Sequence, residues 1–538
     1  MTERNGFEMK RRFFRRGLAA MLSALMLASA CGAFPASAAS APTLGLTLRE
    51  DGTVLLAGKP YYAMGVNYYD AFLIDLRERA DYEVIEAEFA QLQKSKIPLA
   101  RVEMCGYYPN EFWIYLETPD YYFEKMDRVV ALAEKYEIGL VVDLFWLWHA
   151  VADVALERLS EMGNPQSKTV ALSKQYATDV VNRYKDSPAV WMWEIGNEYN
   201  LMADLETVMP PDFDEYCTPG YGGCQGGRNE EDIANSDDIH VFYEEIGKTI
   251  RALDPNRLIT GGDSEPRNAA YNLKMHDSWQ LDTFEEMSYM MELLSPAPLN
   301  TMSVHVYQDD AQAAIENYDE QVGRYMQAAK NAKQALFVGE FGIMDTLTQT
   351  LDKAKQILKD QYNAFMKHGV QLSCIWVYGK DDGDEMNISP TNERAYQYNM
   401  VVNANIAYRD QGKQDSDSYW DAVTPLLYKG DTTEPTAAPT TTKAATTAGR
   451  QPTTTAASTA ATTATESTQP ASTTQGAAET TPSSDSSSVE ANAPDNGGSI
   501  VGWIVGILIG VLVLGGGTLA IVLYMKKKKE AAQGADNQ

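Results

Sequence analysis

Cysteine and histidine are both scarce in this chain, with five of each among 538 residues. A dense disulfide framework of the kind that staples small secreted domains is thereby excluded. Neither residue type falls into the paired spacing of a structural zinc site. Positive charge is also in deficit, 45 Lys and Arg against 74 Asp and Glu, for a formal charge of −29. Nucleic acid and anionic membrane surfaces are therefore poor partners. No Gly-rich phosphate loop follows the first apolar run, where Met64-Gly65-Val66-Asn67-Tyr68 stands instead. A Gly-x-Ser-x-Gly elbow is missing as well, which places Ser-His-Asp acyl transfer far down the order.

One stretch, 431–498, has no aromatic residue, no Leu and no Ile, and is made largely of Thr, Ala, Pro and Ser. It cannot form a core and reads as an extended linker, with a random-coil reach of about 45 Å. The two ends of the chain also stand apart in composition, a basic-then-apolar leader and an apolar segment with a Lys tail. Residues 1–38 begin with Lys10, Arg11, Arg12, Arg15 and Arg16, continue with an apolar run over 18–30, and offer Ala36-Ser37-Ala38 for cleavage. This is the pattern of an export signal. A second reading makes Cys31 an acylated lipoprotein cysteine, although Ala28 stands where Leu is usual. Residues 500–525 carry no charge and are long enough to span a bilayer, and Lys526 to Lys529 follow at once. The basic tail 526–538 is expected on the cytoplasmic side, with the bulk of the chain at the extracellular face. Gly502, Gly506 and Gly510 recur at four-residue spacing, a packing pattern that permits dimerisation but more often reflects membrane composition.

What remains, 42–429, is large enough for one substantial core. Short apolar runs at 62–67, 99–104, 139–145, 190–195, 258–261, 301–305, 336–340 and 372–377 alternate with amphipathic segments at 83–94, 122–135, 173–184, 241–253, 311–332 and 351–367. In the second of these, Met126, Val129, Val130 and Ala133 recur at helical spacing. Eight such strands with intervening helices predict an α/β fold, a parallel (β/α)₈ barrel, rather than a sandwich or an open sheet. Residues 44–59, with Asp51-Gly52 at the turn, predict a hairpin closing the bottom of that barrel. Cys217 and Cys224 flank a Gly-rich loop in a long insertion, 200–238, and either bridge locally or stay free; the insertion itself is either a cleft wall or a surface excursion.

In such a barrel the active site gathers at the C-terminal strand ends. The fourth strand ends Trp191-Met192-Trp193-Glu194-Ile195-Gly196-Asn197-Glu198, and the seventh ends Phe337-Val338-Gly339-Glu340-Phe341-Gly342. Each opens an apolar strand into the mouth with a carboxylate. Cleavage of a glycosidic bond needs two such groups, one to protonate the departing oxygen and one to attack the anomeric carbon. A lone strand-end Glu is more often an ion-pair residue, but two in these frames reverse that expectation.

These motifs resemble glycoside hydrolase family 5, the cellulase and β-mannanase group of retaining glycosidases. The likeness spans 44–408 and is specific in the combination of Trp-Glu-Ile-Gly-Asn-Glu with Gly-Glu-Phe-Gly. It implies that Glu198 is the acid/base, Glu340 the nucleophile and Asn197 a partner of the sugar 2-hydroxyl. It further implies that Arg101 keeps Glu340 ionised, that His305 and Tyr307 form the strand-six pair with Tyr307 orienting Glu340, and that Trp376 floors the central subsite. Taken alone, Arg101 could instead pair with Glu103, and His305 or Trp376 could be plain core. Of the aromatics near the strand ends (Tyr68, Tyr69, Tyr107, Tyr108, Trp146, Trp148, Tyr199, Trp376), Trp148, Tyr199 and Trp376 are the expected sugar contacts. One departure from the family pattern is the end of strand three, Val142-Asp143-Leu144-Phe145, where a His is common; the nearest is His149. Either that loop is rebuilt or Phe145 stacks on sugar. No metal and no cofactor is required by this chemistry. The expected substrate is an extracellular β-linked polysaccharide cut internally, an endo-β-1,4-glycanase activity; the rivals are an exo-acting β-glycosidase and a non-catalytic glycan-binding or adhesion protein.

Overall fold

The computed structural model describes residues 43–80, 82–205, 232–233, 235–307, 317–343, 350–379 and 386–427. The expected export signal, linker, membrane span and basic tail lie outside them, as do Cys217, Cys224 and most of the 200–238 insertion. Among the described residues no helix is long and apolar enough to cross a membrane.

Three short strands come first: β1 (Leu46–Leu48), β2 (Val54–Leu56) and β3 (Lys59–Pro60), paired antiparallel. Eight more follow: β4 (Ala63–Asn67), β5 (Leu99–Glu103), β6 (Gly139–Asp143), β7 (Val190–Glu194), β8 (Leu258–Thr260), β9 (Thr301–Val306), β10 (Ala335–Phe341) and β11 (Leu372–Ile375). They close into a parallel barrel in the order β10-β11-β4-β5-β6-β7-β8-β9. Every expected strand is present, with ends shifted by a residue or two. All eight are buried at every position, which is why they read as continuous apolar runs. The expected 62–67 run starts one residue late because Tyr62 donates its N–H to Lys413 outside the barrel ladder.

The bottom of the barrel is sealed by β1–β3 and the C-terminal helix Ser416–Leu427. Thr47 bridges Arg257, and Val54 donates to the Gln371 side chain, both just before strand starts. Trp191 is fully buried there, edge-on to Tyr61 and Tyr419 and stacked on Trp420. Burying one indole removes about 150–250 Å² from water, roughly 4–6 kcal/mol. Its ring needs the space left by Gly139, where a Cβ would lie 2.0 Å from Trp191.

The amphipathic segments form the outer ring, for instance Pro119–Lys135, which starts at a proline suited to the first helical turn and buries Met126, Val129, Val130 and Ala133. The expected helix over 311–332 is described over Tyr318–Asn331, and 308–316 lie outside the described residues. Helix Ala395–Asp410 was not anticipated, because polar residues interrupt its buried face. One of them, Asn405, explains the interruption: its amide accepts from Met64 N and donates to Met64 O at 3.1 and 2.7 Å, tying the helix to β4.

Candidate active site

At the top of the barrel the buried cation Arg101 of β5 converges on four groups from three strands, β4, β7 and β10. Its Nη1 donates to Glu340 Oε1 at 2.9 Å and to Asn67 Oδ1 at 3.1 Å; its Nη2 donates to Asn197 Oδ1 at 2.7 Å; its Nε pairs with Glu194. The guanidinium lies 4.6 Å from the centre of the Trp146 ring. The alternative pairing with Glu103 is not what forms, since Glu194 and Glu340 occupy the fork. Burial alone would lower the Arg101 pKa, but these carboxylates raise it on balance, so the group is a permanent positive charge.

Glu340 lies within β10, with its side chain 3% exposed. A register shift between Val338 and Glu340 sets it opposite His305 of β9, a local irregularity that re-aims one side chain. Both carboxylate oxygens are engaged, Oε1 by Arg101 and Oε2 by the Tyr307 hydroxyl at 2.7 Å. Burial pushes this carboxyl above its ordinary range, aided by nearby Glu198 and opposed by His305, Arg101 and Tyr307.

Glu198 stands beyond the end of β7 on a left-handed residue, φ 55°, and its side chain is 11% exposed. His305 Nδ1 lies 2.8 Å from Glu198 Oε1 and 3.6 Å from Glu340 Oε1. Burial drives the imidazole pKa down to about 3, against the pull of Glu340, so His305 is neutral in the working range, and its approach to both glutamates sets it apart from a plain core residue. One carboxylate oxygen of Glu198, one ring nitrogen of His305 and one oxygen of Glu340 all lie within 4.8 Å of one another. Two carboxylates and an imidazole are also a donor set for a divalent cation. Here, however, Arg101 and Tyr307 already donate to both Glu340 oxygens, and a permanent cation 2.9 Å away opposes a second.

Trp376, just past β11, stacks on Tyr69 with centroids 5.0 Å apart, and both rings meet Trp146. These three make one aromatic surface beside Arg101. Trp148 is 8% exposed and packs edge-on against His149 in the loop after β6. Tyr199 corrects the expectation placed on it. It is 1% exposed, donates its hydroxyl to Phe145 O and stacks on Tyr243, so it props the turn from beneath and offers no face to a sugar. Phe145 is likewise core, packed among Phe112, Tyr176 and Phe242, and its proposed stacking role falls. In the loop after this strand His149 pairs with Asp153, and Asp143 closes β6. Burial beside Glu194 holds the Asp143 carboxyl well above its usual range.

The structure thus gathers Arg101, Asn197, Glu198, His305, Tyr307 and Glu340 into one group. Sequence reasoning overlooked Asn67 and Glu194, which buttress Arg101, and undervalued Trp146 and Tyr69. The signal for the first two was available, since both are polar residues at the ends of apolar strands.

Comparison with known proteins agrees with this geometry. The chain is 24% identical over 264 residues to a probable mannan endo-1,4-beta-mannosidase F of Aspergillus flavus, covering 48% of each chain. A second relative, mannan endo-1,4-beta-mannosidase F of Aspergillus fumigatus, is 22% identical over 263 residues, covering 48% of this chain and 51% of that one. The chain spans about half the length of these curated relatives. Among solved structures, the endo-1,4-beta-mannanase from Rhizomucor miehei superposes with a TM-score of 0.50 at 14% identity, covering 68% of this chain and 99% of that one; it shares the fold. The family model described as cellulase (glycosyl hydrolase family 5) matches residues 77–382, more than half of the chain, and the chain belongs to that family.

Proposed function

We propose that this protein hydrolyses β-1,4-linked polysaccharide with retention of configuration, and that its substrate is a mannan cut internally. The observation that carries the reading is the separation of Glu198 and Glu340, whose nearest oxygens lie within 4.8 Å through the His305 cluster. Retaining enzymes hold their two carboxyl groups about 5–5.5 Å apart, whereas inverting ones leave about 6.5–9.5 Å for a water. Glu340, charge-paired with Arg101, attacks the anomeric carbon while Glu198 protonates the leaving oxygen. Glu198 then takes a proton from the water that releases the sugar from Glu340. The amide oxygen of Asn197 is taken by Arg101, so its Nδ2 hydrogens are the donors left for the sugar 2-hydroxyl. Trp376 with Tyr69 and Trp146 supplies an apolar face for the pyranose ring. The names of the curated relatives support mannan over cellulose.

The same proposal places the barrel outside the cell, exported by residues 1–38 and held off the membrane by the 431–498 linker and the 500–525 span. A binder without catalysis gains nothing from two buried carboxylates set on one cation.

Reducing-sugar release from linear mannan, glucomannan, carboxymethylcellulose and xylan tests the reading. Mannan is expected to be the best substrate, with Glu340→Ala lowering the rate by about 10⁴-fold or more. Unchanged hydrolysis by Glu340→Ala would end the catalytic reading, and monosaccharide as the sole early product would turn it to exo action.

A further inference from the structure

A left-handed backbone at a non-glycine residue costs roughly 1–2 kcal/mol and persists only where its surroundings impose it. Glu198 is such a residue, and what imposes its conformation is the segment after β8. Glu198 N donates to Gly262 O at 3.0 Å, and Gly196 N donates to Gly261 O at 3.0 Å. The two segments run so close that a Cβ on Gly262, itself at φ 84°, would stand 1.7 Å from Gly196 O. Two residues past Glu198, Asn200 locks in: its side chain accepts from Ser264 N at 3.0 Å and donates to Ser264 O at 2.9 Å, and its own N–H donates to Asp263 Oδ1 at 3.2 Å.

Asp263 is the carboxylate that accepts within this bracket. It is 6% exposed, and Tyr243 from helix Ser236–Leu253 donates its hydroxyl to the same Oδ1 at 3.0 Å. Tyr243 in turn stacks on Tyr199, the residue next to Glu198. A cavity of about 20 Å³, lined by Asp263, Asn200, Ser264 and Ser303 among others, opens beside it with room for about one water.

We infer that Asp263 is a positioning residue for Glu198: by gathering Asn200 N–H and Tyr243 O–H on one oxygen, it holds the turn that sets the acid/base against the leaving group. This rests on the acid/base role proposed for Glu198. Burial lifts the Asp263 carboxyl to about 7, with Tyr243 and Asn200 drawing it down and Glu194 and Glu198 lifting it further. The bracket survives either protonation state, because both donors address Oδ1 and a proton would reside on Oδ2. Buried carboxylates are costly, and plain packing at this spot would be served as well by an apolar side chain. A carboxyl group here is explained by the two donors it satisfies and the turn they fix.

The test separates acid catalysis from the rest of the reaction. Mannopentaose has a poor leaving group that needs a proton, whereas dinitrophenyl β-mannobioside has one that leaves without help. Asp263→Ala is expected to lower kcat/KM on mannopentaose by about 10–100-fold, the scale of misplacing a catalytic group by an ångström. On the dinitrophenyl glycoside kcat/KM is expected to stay within about threefold, and Asp263→Asn, which keeps an acceptor at Oδ1, to restore most of the mannopentaose rate. Should Asp263→Ala fail to fold, Tyr243→Phe removes one donor while keeping the ring, and the same split is expected at smaller size. Equal losses on both substrates, or no loss on either, overturn the inference. Glu198→Gln is run beside them: if it shows no split, the acid/base reading itself is at fault rather than the bracket.

Discussion

Glu198 and Glu340 are the same residue type 142 positions apart, and the barrel treats them differently. Glu340 lies inside a strand, 3% exposed, with a guanidinium on one oxygen and a phenol on the other. Glu198 lies outside its strand on a left-handed turn, 11% exposed, beside an uncharged imidazole. Under the roles proposed for them, the group that must stay ionised has a fixed counter-charge, and the group that must gain and lose a proton has a neutral neighbour and a partly exposed position. Chemistry at the site is thus divided by environment, since the side chains are identical.

The largest expected effect comes from removing the counter-charge. Arg101→Met leaves Glu194 and Glu340 buried without a cation, and stability is expected to fall by about 3–5 kcal/mol in chemical denaturation. A loss below about 1 kcal/mol would show that Arg101 is not what distinguishes the two glutamates.

Tyr307→Phe sharpens the contrast by touching Glu340 alone. Loss of a hydrogen bond to a charged group, about 1.5–3 kcal/mol, is expected to lower kcat/KM by about 10–100-fold. The sign of the pH effect follows from the bond: donation favours the carboxylate, so without it Glu340, already raised by burial, keeps its proton to higher pH. The acid limb of kcat/KM should therefore move upward, and the variant should lose more at pH 5 than at pH 7. An unmoved limb would assign the limb to another group.

The smallest effect is expected beneath Glu198. Tyr199→Phe removes the hydroxyl that donates to Phe145 O and should cost about 0.5–1.5 kcal/mol of stability, leaving KM unchanged. A clear rise in KM would return Tyr199 to the list of sugar contacts.

Much of this was legible in advance. Eight buried parallel strands leave eight apolar runs, because both faces of each are covered. A carboxylate ending an apolar run is visible for the same reason, so Glu198 and Glu340 could be named before any coordinates, and Arg101 only through the resemblance to family 5. Aromatic roles were less legible. Tyr199 and Trp376 both follow strand ends, yet one is a prop and the other joins the surface beside Arg101. Sequence position says that a ring is near the mouth, and only packing says which way it faces.

From sequence alone followed the barrel, its order of strands and the acidic pair at its rim, since periodicity and strand-end chemistry are local properties. Tertiary structure alone decided that Arg101 divides itself between Glu194 and Glu340, that Phe145 belongs to the core, and that Asp263 reaches Asn200 from another strand. Those contacts join residues tens to hundreds of positions apart, where side-chain direction and closure of the cylinder, rather than local pattern, select the partner.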